Sequence, residues 1–215
     1  MNRIIILLMC CILLFYLCVY NSNKMPQAPN GEADSNYSQE STSETIESEI
    51  NFFEQLPQSF VFSSGVGGWS TDLDLNSDGT FTGIYHDSDM GDLDDEYPNG
   101  TVYICEFSGK FSDPVKIDEH TYSMKLEYLN TEGTIDDEYY ENGIRYIYSG
   151  PYGLENADEF LLYLPGSQIS DLPEEFVSWL YAFVDVQTEK TLPYYGIYNV
   201  GGKTGFVACD PDPSY

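Results

Sequence analysis

The chain has 215 residues, with 36 Asp and Glu against 8 Lys and Arg, and a formal net charge of -28. A surface this poor in cations offers no positive face to phosphates, which excludes nucleic acid as a partner and sets the chain against anionic lipid headgroups. The same charge suits cation binding or solubility in a crowded compartment.

The first predicted element is apolar: Ile4 to Tyr20 carries no charge. As a helix it would measure roughly 25 Å, near the shortest bilayer span. Arg3 and the α-amino group precede it, so residues 1–24 read as a signal-anchor transmembrane helix that holds the rest of the chain outside the cell membrane. A cleaved leader is the competing reading, but the exit Val19-Tyr20-Asn21 lacks the small residues of a cleavage site. Lipidation is a further alternative, disfavoured because Cys10, Cys11 and Cys18 follow Met9, Cys10 and Leu17 rather than a small residue. Residues 25–49 are rich in Ser, Glu, Asn and Pro. They cannot bury enough apolar surface to offset their ordering entropy, which predicts a disordered polar linker.

Residues 50–215 form the predicted extracytoplasmic domain, and from Phe60 onward its hydrophobicity alternates with period two. Trp69, Thr71, Leu73 and Leu75 share one face, while Ser70, Asp72 and Asp74 share the other. After Asn76-Ser77-Asp78-Gly79 the run Thr80 to Tyr85 alternates again, so the two runs predict a β-hairpin. Further strands are predicted at Thr101 to Phe107, Thr121 to Leu129, Ile144 to Tyr148, Phe160 to Leu164, Tyr195 to Val200 and Gly205 to Cys209. One helix is predicted near 171–181, with Ser170 or Asp171 as N-cap, Pro173 in the first turn, and Phe176, Val177 and Leu180 as its apolar stripe. The 19 tyrosines and 12 phenylalanines suit a pleated, half-buried surface. The fold class is therefore mainly β: an antiparallel barrel or sandwich with one short helix, behind the N-terminal transmembrane helix.

The stretch DLDLNSDGTF poses a calcium question. As an EF-hand loop it would place Asp74, Asn76 and Asp78 at ligand positions, but Tyr85 would stand where the bidentate glutamate belongs, and both flanks read as strands. A hairpin turn is the better reading. The better cation candidate is Asp87, Asp89, Asp92 and Asp94, followed by Asp95 and Glu96 with no basic residue among them. Such crowding of like charge calls for a mobile loop or a bound hard cation, and calcium is the ion that fits. Cys105 and Cys209, the two cysteines beyond the apolar segment, could close a disulfide contributing about 4 kcal/mol in the chain-entropy model; two free thiols are the alternative. No G-x-S-x-G elbow, zinc motif or phosphate loop occurs, and no catalytic residue is assigned. A glycosidase would need only two of the many carboxylates, which sequence cannot select.

The stretches FSSGVGGWSTDLDLNSDGTFTGIYHDSDMGD, YPNGTVYICEFSGKF and YSGPYGLENADEFLLYLPG resemble a family of membrane-anchored or lipoprotein-type envelope proteins of gut Firmicutes, over residues 58–208. That resemblance implies a cell-envelope location and brings no activity with it. Gly67 and Trp69, followed by Asp78-Gly79-Thr80-Phe81, also resemble the opening of lipocalin-like (calycin) barrels. In such a barrel Trp69, Phe81 and Tyr85 would face inward and line a ligand mouth or a filled core. The acidic loop at 87–96 and the stretch 149–160 depart from the simple meander which that resemblance implies. The functional expectation is a non-enzymatic domain binding an unknown small molecule or envelope protein. The alternatives are a calcium-stabilised interaction domain and a carbohydrate-active enzyme.

Overall fold

The structure, a computed structural model, describes residues 51–208. The expected transmembrane segment, the linker and Cys209 lie outside the described residues.

The strands are β1 (Ser59–Ser63), β2 (Trp69–Leu75), β3 (Thr80–Asp89), β4 (Thr101–Phe111), β5 (Val115–Lys116), β6 (Thr121–Thr131), β7 (Glu138–Glu141), β8 (Ile144–Tyr148), β9 (Glu159–Tyr163), β10 (Gly196–Asn199) and β11 (Thr204–Ala208). Eight of them close into an antiparallel barrel. Around the ring the order is β1, β2, β3, β4, β6, β9, β10, β11, and β11 returns to β1. Barrel strands thus follow chain order, an up-and-down meander. The two segments expected to break it do not, because each is set aside from the ring: one extends the β3–β4 hairpin and the other closes an end.

Strand β4 explains the remaining sheet. Its second half, Phe107 to Phe111, pairs with β6, and its first half, Thr101 to Ile104, runs past the barrel. There β8 pairs with it in parallel, and β7 adds antiparallel to β8. Strands β3, β4, β8 and β7 therefore make a wing beyond the barrel rim, and β7 is one outer edge of the whole sheet.

The hairpin reading of the DLDLNSDGTF stretch holds. Gly79 sits at φ 79, where a side chain would be strained, and Asp78 Oδ1 accepts hydrogen bonds from Thr80 N at 3.0 Å and Thr80 Oγ1 at 2.5 Å. Asp74 points outward and accepts from Ser59 Oγ at 2.9 Å.

Inward positions are filled by large rings. Phe60, Phe62, Phe81, Phe111, Phe160 and Phe206 are each at most 1% exposed. One end of the barrel is covered by a 3-10 turn, Phe52–Gln55, whose Phe53 ring packs on the Gly79 turn and is buried. The other end is covered by residues 149–157, which bury Leu154. Gly153 in that segment has φ 101 and lies against Phe62 and Phe206, where a Cβ would fall 2.8 Å from the Phe62 ring. Three side chains hold this plug by its carbonyl oxygens. Thr71 Oγ1 donates to Tyr152 O at 2.6 Å, Thr204 Oγ1 to Gly153 O at 2.7 Å, and Asn199 Nδ2 to Gly153 O at 3.0 Å and Glu155 O at 2.9 Å.

Helix α1 (Glu174–Leu180) packs outside the barrel, inserting the buried Phe176 ring over Gly196 and Gly205. It starts later than the sequence reading places it. Leu172, which precedes Pro173, is extended (φ -79, ψ 150), as steric conflict with the proline ring demands, so Ile169–Asp171 form a separate 3-10 turn and Pro173 becomes the N-cap.

Candidate functional site

The three expected ligand residues do not converge. Phe81 lies toward the end covered by Phe53, 1% exposed, its ring 4.6 Å from that of Phe111. Trp69 and Tyr85 lie at the opposite end, half-buried around the plug. Trp69 meets Phe62 at 4.9 Å and Tyr152 at 5.0 Å, and Tyr85 meets Tyr152 at 5.8 Å. Burial, then the charge of Asp87, pushes the Tyr85 phenol up to about 12, so it stays protonated at neutral pH. The inward aromatics are thus the core and the seating of a plug; they do not form a mouth.

Nor do the four expected calcium ligands form a cage. Strand β3 runs on through Asp87 and Asp89, so the acidic loop begins later than the sequence reading has it. Asp89 Oδ1 accepts from Gly91 N at 2.9 Å and Asp92 N at 3.2 Å, capping a turn. Asp92 Oδ2 accepts from Thr101 Oγ1 at 2.9 Å and lies 3.7 Å from Arg145 Nη2. Asp94 Oδ1 faces Glu96 N at 3.5 Å. Among the described residues, no three carboxylate, imidazole or thiol groups converge to hold a metal ion. The cation in this loop is a side chain: Arg145 reaches Glu138 Oε2 at 3.3 Å through Nε, donates to Tyr97 Oη at 3.1 Å, and stacks 5.1 Å from the Tyr97 ring. Sequence reading misses this role, although Arg145 is the sole basic residue between Lys125 and Lys190.

Cys105 is wholly buried at the β3–β4 pairing, and burial, then Glu155 and Glu106, pushes its thiol up to about 11. It is a neutral core group at physiological pH.

Two further features lie on the outside of the barrel. A recess of about 540 Å³ is lined by Asp72, Asp74, Glu106 and Glu132 together with Thr82 and Ser108. Burial holds the pKa of Asp72 above its ordinary value, against the hydrogen bond from Ser70 that lowers it. Ser70 Oγ lies 3.0 Å from Asp72 Oδ2 and 3.4 Å from His86 Nδ1. This is not a hydrolase relay, since the carboxylate meets the hydroxyl and leaves the imidazole unoriented.

Beside the recess, the wing turns an apolar face outward. Strand register places Ile84, Val102, Ile104, Ile144, Tyr146 and Tyr148 on that face, all half-buried, with Tyr139 beside them at 36% exposure, and the same register adds His86, Ser88, Glu106 and Glu141. Tyr139 stacks on Tyr146 with ring centroids 4.8 Å apart and 9° between planes. The helix packs elsewhere, over β10 and β11. The opposite face of the wing carries Asp87, Asp89, Glu138 and Arg145 together with Tyr103, Tyr140 and the buried Ile147.

No protein family, curated protein or solved structure matches the chain. Among the described residues, no helix is long and apolar enough to cross a membrane.

Proposed function

We propose that this chain is an extracytoplasmic, membrane-anchored binding module of the cell envelope, that it is non-enzymatic, and that it engages an envelope protein on the outside of its lipocalin-like barrel. The anchor rests on the uncharged run Ile4 to Tyr20 and the polar linker after it. The observation that carries the binding site is the outward apolar face of β3, β4, β8 and β7, because contiguous apolar surface on a charged protein marks a contact site. Tyrosine suits that role: it supplies a large contact area at small entropic loss and keeps a polar tip for water or a partner. A filled interior supports the outside as the place of binding.

The test is site-specific photo-crosslinking in intact cells. A photoreactive residue at Tyr139 should give a discrete adduct, and the same residue at Ile117, which is 57% exposed away from the wing, should not. Equal yields at both positions, or none at 139, would refute the reading.

A further inference from the structure

We infer that the free edge of β7 accepts an extended, lysine- or arginine-bearing protein segment as an added strand, the partner's apolar side chains continuing the wing's outer face. The inference rests on the proposed binding role of that face and names the partner's chemistry.

Strand β7 ends the sheet, and all four of its residues are exposed. Antiparallel pairing alternates the main-chain groups: Tyr148 N bonds Asp137 O at 2.9 Å, which leaves the N–H and C=O of Glu138 and Tyr140 directed off the edge. A strand added there gains main-chain hydrogen bonds, and its alternate side chains lie beside Tyr139 on the apolar face. The other sheet edge, β5, has only two residues and ends in Lys116.

Charge selects the partner. The edge reads Glu138-Tyr139-Tyr140-Glu141, with Asp136 and Asp137 before it and Glu106 and Glu132 near the outer face. The one cation of the wing, Arg145, is already held by Asp92 and Glu138 on the inner face. A second copy paired about Tyr139 would set Glu141 opposite Asp137 across a two-fold axis, between chains each carrying -28. The carboxylates that oppose self-pairing therefore favour a basic strand.

The experiment uses the protein with two synthetic peptides of equal charge. One alternates lysine and valine; the other has the same composition in blocks, interrupted by proline. Fluorescence anisotropy should show the alternating peptide binding at least ten-fold tighter. Tyr140→Pro should abolish that preference, because it removes an outward N–H while leaving the bonds of β7 to β8 in place. On the unmodified protein, the amides of Glu138 and Tyr140 should exchange more slowly with the alternating peptide bound, a readout independent of whether the proline variant folds. Equal affinity for the two peptides, unchanged exchange at both amides, or a dimer of the chain joined through β7 would overturn the inference. A crosslink at Tyr139 that survives Tyr140→Pro would overturn it while leaving the proposed binding face standing.

Discussion

Replacing Asn199 by alanine tests whether the barrel end is closed by built-in hydrogen bonds. The side chain is fully buried and makes three of them: two donated to Gly153 O and Glu155 O, and one accepted from Gly202 N at 3.0 Å. At about 1 kcal/mol net for each bond, the substitution should cost about 3 kcal/mol. Gly153 O keeps Thr204 as a donor, whereas Glu155 O loses the side chain that holds it. In a domain of this size such a loss should lower the melting temperature by roughly 6–12 °C. Thermal and urea unfolding followed by circular dichroism measure the cost. Hydrogen exchange locates it, with the Tyr152 and Leu154 amides, bonded to Gly150 O and Pro151 O, exchanging faster. Asn199→Asp preserves volume and the Gly202 bond but turns a carboxylate toward two carbonyl oxygens. It should cost at least as much at neutral pH and recover on acidification, when the carboxyl regains a proton to donate. A loss below about 1 kcal/mol for alanine, with exchange in the plug unchanged, would refute the reasoning, since three buried bonds cannot be that weak.

Gly205→Ala should destabilise by about 1–3 kcal/mol in urea unfolding, because the new Cβ would overlap the Phe176 ring; shrinking that ring as well, in Gly205→Ala with Phe176→Leu, should recover part of the loss. Arg145→Gln should speed hydrogen exchange across Asp89 to Thr101 and make the loop respond to millimolar calcium in a melting assay, whereas the parent protein should not respond. Asp72→Asn should stabilise the domain at pH 7 and leave it unchanged at pH 3. The folded carboxyl titrates above its ordinary 3.8, so its charge opposes folding once pH rises through that window, and the amide never acquires it. Urea midpoints across pH 3–7 measure this, and a constant offset between the two proteins would contradict it.

Much of the scaffold was legible because alternation reports a strand with one wet and one dry face. Trp69–Leu75 and Ile144–Tyr148 fall where the period places them, and neighbouring strands differ mainly in length. Strand β7 was hidden for the same reason: its Glu-Tyr-Tyr-Glu pattern has no buried face to mark it as a strand. Strand β5 is too short to show a period. Pairing was not legible at all. That β4 would divide its edge between β6 and β8 depends on where β6 turns away, a long-range event without a local mark.

The sequence by itself determined the mainly β character, the hairpin at Asn76 to Gly79, the excess of acid and the helix that follows Pro173, since each follows from neighbours along the chain. Only the tertiary structure decided that the sheet closes into an eight-stranded barrel, that residues 149–157 fill its end, that Arg145 answers the acidic loop, and that tyrosines from two strands stack outward on the wing. Those outcomes depend on which distant residues share a face. Composition and period leave that choice open; closure of the ring fixes it, because each strand's inward side chains must then fill one common interior.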